Sequence, residues 1–367
     1  MESSKVLSAR MRDWLLERTQ IASGSHAGAV VGWLGDGMRP DYAYPEITGY
    51  YLSWLGFLET ATKPSRGRYA PSRDDALTWL NGQLTETSGF PTRVYFDGGH
   101  RVDADWRNWA SFCFDAGMIY RGVSSIPSAQ RSAAAAELEK RTADVLFSFV
   151  GRDGSWISCL PHGGREMPRR WSTEPGEHLV KVAGGVLAVA GEEGAVDQRL
   201  LAPAEATLAR YLGTLANAPV TLTHPRLYAL EGLLQSLTGG FLNVRRELLE
   251  AYRAVAAHAL DGRLLEDCST SQSPVRSDVI AQLLRVGCVL VSRGDLDTDH
   301  CPQLARLAAA VARFVDGSGG VRFTETEPDT VKQLNVWCTM FGHQALEFHS
   351  RIEQGLAIPD EWVRVLV

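Results

Sequence analysis

The chain has 367 residues, 45% of them apolar and 22% charged, with a net charge of −6. These proportions belong to a globular protein with a large core, and the negative balance excludes a broadly basic nucleic-acid surface while permitting a local positive pocket. Six scattered cysteines without a CxxC pair read as reduced thiols, not as a disulfide scaffold. No run approaches the roughly 18 apolar residues of a membrane span, and the charged amphipathic start lacks a signal-peptide core, so the expected location is cytoplasmic.

In chain order, the first predicted element is a charged amphipathic helix over roughly 5–20, followed by the glycine turn "SGSHAGAV" and the apolar helix "YPEITGYYLSWLGFL" from Tyr44. A second amphipathic helix, roughly 72–85, runs through "SGFPTR" to "NWASFCFDAGMIYRGV" from Asn108. The third, roughly 128–149, leads through "GRDGSW" to "GEHLVKVAGGVLAVA" from Gly176. The fourth, roughly 195–216, precedes "HPRLYALEGLLQSL" from His224. The fifth, roughly 241–259, is followed by "LDGRLLED" and "PVRSDVIAQLLRVGCVL" from Pro274. The last, roughly 302–315, turns at "DGSGGVRF" before "NVWCTMFGHQALEF" from Asn335.

The unit is thus an amphipathic helix, a glycine turn and an apolar helix with a polar or aromatic opening. It recurs six times, with apolar starts 48 to 68 residues apart. Such a quasi-repeat defines architecture even without sequence identity. Gly49, Gly56, Gly117, Gly184, Gly185, Gly232, Gly287 and Gly342 fall inside the apolar helices. Each costs about 1 kcal/mol against alanine in a helix interior, which implies close helix–helix approach. The prediction is a single all-α domain spanning 1–367, an (α/α)6 toroid of six helical hairpins, with short strands only in loops. The apolar helices form the inner ring, and their polar starts converge on one end as the floor of a funnel.

The segments "YPEITGY", "FDAGMIYRGV", "HLVKVAGGVLAV", "HPRLYALEGLL" and "SPVRSDVIAQLLR" resemble inner helices of the six-hairpin glycosidase-like superfamily. The resemblance covers nearly the whole chain as a fold. It implies carbohydrate processing and leaves the reaction open, because that superfamily includes hydrolases, lyases and epimerases.

Carboxylates supply the first candidates for chemistry. Glu46, Glu231 and Asp278 fall in the early turns of inner helices, with Asp115 deeper and Asp97, Asp103 and Asp105 in a loop beside His100. Glycosidic hydrolysis needs one protonated and one ionised carboxyl across the scissile bond. Glu46, among aromatics, is the expected acid, and Asp278, beside Arg276, the expected base. Proton transfer at carbon is the competing reading. It needs a base, an acid on the other face and a cation on developing negative charge, which Tyr44 with Glu46, or His224 with Tyr228 and Glu231, could supply.

Arg101, Arg107, His178, Lys181, His224 and Arg276 lie near the predicted mouth, above convergent helix N-termini, and favour an anionic sugar. Tyr42, Tyr50, Trp106, Trp109, Trp171 and Trp337 offer faces for sugar C–H groups, and Asn335 opens the sixth inner helix. A non-catalytic toroid that binds a glycan or a protein is the third reading. The expected partner is a small-molecule or oligosaccharide substrate, with no nucleic acid, membrane or cofactor; Cys159/His162, His300/Cys301 and Cys338/His343 offer only pairs where zinc needs three or four ligands.

Overall fold

The computed structural model describes residues 4–35, 37, 40–61, 67–85, 89–96, 103–190, 196–325 and 333–367. Among them, the inner helices are α2 (Pro45–Ala61), α4 (Cys113–Ser124), α6 (Leu179–Leu187), α8 (Thr223–Thr238), α10 (Ser277–Ser292) and α12 (Val336–Glu353). The outer helices are α1 (Ser4–Arg18), α3 (Ala70–Gln83), α5 (Ala133–Ser148), α7 (Leu201–Asn217), α9 (Arg245–Ala256) and α11 (Cys301–Phe314), and a short α13 (Asp360–Arg364) follows. Each inner helix touches the next, and α12 returns to α2. The ring is closed: an (α/α)6 toroid.

Chain chemistry explains the division into rings. Nearly every residue of α4, α8 and α10 is buried, polar ones included, whereas α1, α5 and α9 bury only one face. The glycines act where two inner helices meet. A Cβ on Gly49 would stand 2.7 Å from the Ile119 Cα. A Cβ on Gly184 would collide with the Gly232 carbonyl, and one on Gly232 with the Val180 carbonyl, so α6 and α8 can lie this close only with glycine at both places. Between the rings, Leu52, Ile119 and Val123 pack against Ala76, Leu77, Leu80 and Leu138 of α3 and α5.

Three short antiparallel sheets decorate one end: β1 (Trp33–Leu34), β7 (Leu334–Asn335) and β6 (Val321–Arg322); β2 (Tyr42–Ala43) and β3 (Val94–Tyr95); β4 (Ala110–Phe112) and β5 (Cys159–Pro161). Strands β2, β4 and β7 run directly into α2, α4 and α12. They fix the angle at which each inner helix enters the barrel. This is why the second inner helix begins at Cys113, after a 3₁₀ turn and a strand, and not at Asn108. Toward the other end, Gln235 donates to the Val363 and Arg364 carbonyls at 3.4 and 3.3 Å, and Gln344 to Val365 at 3.0 Å. The segment after α13 thus lies inside the barrel, with Leu366 and Val367 fully buried. Among the described residues, no helix is long and apolar enough to cross a membrane.

Candidate active site

A cavity of about 440 Å³ opens where the inner helices begin. Five of the six predicted helix starts contribute to it or to its wall: Tyr44, Glu46 and Ile47 of the first; Phe112, Phe114 and Asp115 of the second; His224 and Tyr228 of the fourth; Arg276 of the fifth; Trp337 of the sixth. Loops add Thr92, Arg93, Trp106, Arg107, Arg170, Trp171 and Ser172. In a ring ordered α2, α4, α6, α8, α10, α12, α2 stands across from α8 and α4 from α10. Glu46 therefore faces His224 across the mouth, and Asp115 faces Arg276.

On one wall, Glu46 and Asp115 share a buried corner. Burial raises Glu46 from its ordinary 4.5 to about 7, against the pull of a Tyr44 hydrogen bond and of Lys181 and Arg121. Burial, and then repulsion from Glu46, push Asp115 well above the carboxylate range, although the Thr92 hydroxyl donates to it at 3.0 Å. Two carboxyls confined together cannot both ionise cheaply. This wall holds a proton near neutrality.

On the opposite wall, His224 is 5% exposed. Burial lowers it to about 4, opposed by Asp278, so the imidazole is neutral. Its tautomer follows from the next shell of hydrogen bonds. Gln282 donates Nε2–H to Glu231 at 3.1 Å, so its amide oxygen is the atom 3.0 Å from His224 Nδ1. Nδ1 thus carries the hydrogen and Nε2 keeps its lone pair. The ring lies against Tyr228, with centroids 4.2 Å apart, and meets the edge of Trp171 at 5.7 Å.

The structure separates other expected site residues from the cavity. Asp278 is fully buried and off its surface. It takes Arg276 Nε at 3.0 Å and Nη2 at 2.5 Å, the Val279 amide at 2.9 Å and the Trp337 indole N–H at 3.4 Å. Burial would raise its pKa, but Arg276 above all, with His224 and these donors, holds it below the usual value. Its lone pairs are committed. Glu231 likewise sits under the floor, paired with Lys181 at 2.6 Å and with Arg285. Lys181 is therefore a structural group: burial pushes its pKa well down against the pull of Glu231, it also donates to the Val367 oxygen at 2.9 Å, and it packs over the Tyr228 ring at 4.6 Å and the Tyr50 ring at 4.9 Å.

Tyr50 is fully buried beneath the site. Tyr42 pairs with Tyr95 across β2–β3 under the Arg93 guanidinium, which lies 4.4 Å from its ring. Asn335 caps α12, accepting from the Cys338 amide at 3.0 Å. Trp109 donates to the Asp103 carbonyl at 2.8 Å, away from the cavity. His178, 1% exposed and lowered to about 3 by burial and then by His224, packs against Trp171 at 5.2 Å. Asp97, His100 and Arg101 lie outside the described residues.

The cationic lining is largely neutralised. Asp105 pairs with Arg93 at 3.2 Å and Arg107 at 3.0 Å, while Arg276 serves Asp278 and, at 2.5 Å, Glu266. Arg170 reaches the cavity from an exposed loop. Among the described residues, no three His, Cys, Asp or Glu side chains could together hold a metal ion.

Sequence reasoning missed Thr92, Arg93, Phe114, Arg170 and Gln282. Thr92, Arg93 and Arg170 reach the cavity through strand pairing and loop closure, which have no local signature, and Phe114 reaches it from the first turn of α4. Gln282 had one: an amide within the apolar run "VIAQLLRV" must be hydrogen-bonded if the helix is inner.

No protein-family model matches the chain, and no curated protein matches it by sequence. Solved structures do match by fold. A sugar epimerase from a ruminal bacterium superposes with a TM-score of 0.72 at 13% identity, covering 97% of this chain and 100% of that one. The cellobiose 2-epimerase of Bacillus thermoamylovorans gives 0.71 at 12% identity, over 95% and 100%. An unsaturated glucuronyl hydrolase specific for heparin gives 0.66 at 9% identity, over 96% of each. The chain thus shares the (α/α)6 toroid fold of these solved structures.

Proposed function

We propose that the chain is a carbohydrate-processing enzyme that moves a proton at a carbon of a reducing sugar, as an epimerase or isomerase. The observation that carries this reading is the opposition of a neutral His224, its Nε2 lone pair left free by Gln282, to the proton-holding Glu46–Asp115 corner. His224 Nε2 removes the proton on the carbon next to the sugar carbonyl. The C–H electrons move into the carbonyl, and the protonated carboxyl corner donates to its oxygen, giving an enediol. Asp278, 3.7 Å from Nδ1, offsets the imidazolium formed. For epimerisation a solvent proton reaches the same carbon from the other face, the enediol O–H proton returns to the carboxyl corner and His224 releases its proton to solvent; for isomerisation the imidazolium returns its proton to the former carbonyl carbon, and the corner takes the proton of the hydroxyl that becomes the new carbonyl. Matched solved structures include a sugar epimerase and a cellobiose 2-epimerase, which supports the same reading. Because Asp105, Asp278 and Glu266 already neutralise three of the lining arginines, the proposed sugar need carry no negative charge.

One observation favours a second reading. Glu46 and Asp115 are two interacting carboxyls in one wall, the inventory that glycoside hydrolysis uses. A panel of reducing sugars and of glycosides in D₂O separates the two. Proton transfer at carbon incorporates deuterium at C2 and yields an epimer or ketose. Hydrolysis releases a new reducing end and leaves no C–D bond. His224→Asn should lower the exchange by at least ~10²-fold, as expected for a lost general base. Full activity in that variant, or cleavage without exchange, overturns the proposal; neither reaction on any sugar favours the binding role.

A further inference from the structure

Beneath the floor of the cavity, inside the inner ring, three basic side chains lie close together, and one of them lacks an acceptor among the described residues. Arg121 of α4, Lys181 of α6 and Arg285 of α10 are 2%, 0% and 0% exposed. Glu231 of α8 takes Lys181 and Arg285 directly and acts on Arg121 through space. Arg285 has a second acceptor, the Gln344 amide oxygen at 2.7 Å. Arg121 has none among the described residues: its Nε, Nη1 and Nη2 are all buried without a hydrogen-bond partner, as is Nε of Arg285.

A guanidinium offers five N–H donors in a fixed plane and no acceptor. Leaving it buried, charged and unpaired is strongly unfavourable. The surroundings do not look like an accident of packing. The Arg121 guanidinium carbon lies 5.3 Å from the centroid of the Tyr50 ring. The glycine at 185 keeps the stem free, since a Cβ there would stand 3.1 Å from the Arg121 Cδ. The unmet groups at Arg121 and Arg285 are exclusively donors. A water molecule there would have to direct its own two hydrogens at an acceptor, whereas an anion only accepts.

We infer that the barrel interior binds a small monovalent anion, of halide or nitrate size, on Arg121 behind the substrate cavity. It supplies the acceptor that Arg121 lacks, while Lys181 is already held by Glu231 and by the Val367 oxygen at 2.9 Å. Glu231 in turn fixes Gln282, and Gln282 fixes the tautomer of His224, so the anion supports the site without touching substrate. The inference stands whichever sugar reaction the cavity performs.

The direct test is diffraction from wild-type crystals grown in bromide, at the bromine absorption edge. The expected result is an anomalous peak within hydrogen-bonding reach of the Arg121 guanidinium. Ordinary water density at that position without anomalous signal overturns the inference. In solution, replacing gluconate by chloride at constant ionic strength should raise the Tm of the wild type saturably and leave Arg121→Met unresponsive. An equal response in both proteins counts against the site. If Arg121→Met does not fold, the bromide map on the wild type decides alone.

Discussion

Two inner helices open with an acid in the first turn and treat it in opposite ways. Glu46 of α2 and Asp278 of α10 are both buried, and both sit where a helix dipole favours negative charge. Glu46 has a tyrosine partner, more distant cations and a second carboxyl nearby; its pKa climbs to about 7. Asp278 has a two-point arginine, a backbone amide and an indole N–H, and its pKa falls. The helix terminus is common to both, so it does not decide. The neighbours within hydrogen-bond distance do, and they turn one position into a proton store and the other into a fixed anion that steadies Arg276 and His224.

The largest effect expected from breaking this contrast is in Asp278→Asn. Removing one partner of a buried ion pair costs about 3–5 kcal/mol, and Glu266, still bonded to Arg276, should keep the loss toward the lower end. Urea denaturation at pH 7 measures it. The same variant should lose an acid-side dependence. A depressed carboxyl contributes stability that is present above its unfolded pKa and disappears as pH falls through the folded value. A midpoint unchanged from the wild type would mean that Asp278 is not holding Arg276.

Glu46→Gln should move stability the other way. The raised pKa favours the folded state fully below about 4.5, and that contribution is lost as pH rises through about 7. The glutamine variant should therefore gain on the wild type between those values. At about 1.4 kcal/mol per pKa unit the gain approaches ~3 kcal/mol by pH 8. Equal stability curves across that range would remove the proton store. The smallest effect belongs to Trp337→Phe, which keeps a ring on the cavity and deletes one donor to Asp278; about 1 kcal/mol is expected for a single lost hydrogen bond. If its loss matched that of Asp278→Asn, the indole and not Arg276 would be the principal partner.

The contrast also marks how far the sequence could be read. The toroid was legible because an amphipathic helix, a glycine turn and an apolar helix recur, and because glycines such as Gly184 and Gly232 have no reason to sit in buried helices except close approach. The converging polar starts were legible for the same reason, and Tyr44, Glu46, Arg107, His224, Tyr228, Arg276 and Trp337 do meet at one cavity. Hidden was which acid faces the space. Arg276 and Asp278 are two residues apart in sequence, and whether they clasp each other or reach outward depends on a strand-like φ/ψ at Arg276 that turns it back along the helix start. Lys181 and Glu231 were equally ambiguous: a charge in an apolar helix is either a ligand group or half of a buried pair. Only the packing of α6 against α8 makes them the latter.

Titration of the two acids compares them most directly. With ¹³C-labelled side-chain carboxyls, the glutamate resonance absent from Glu46→Gln should titrate with a midpoint of about 7. The aspartate resonance absent from Asp278→Asn should remain ionised below pH 3.8. If instead Glu46 titrates near its ordinary 4.5 while Asp278 holds its proton into the neutral range, the assignment of proton store and fixed anion is reversed and the account fails.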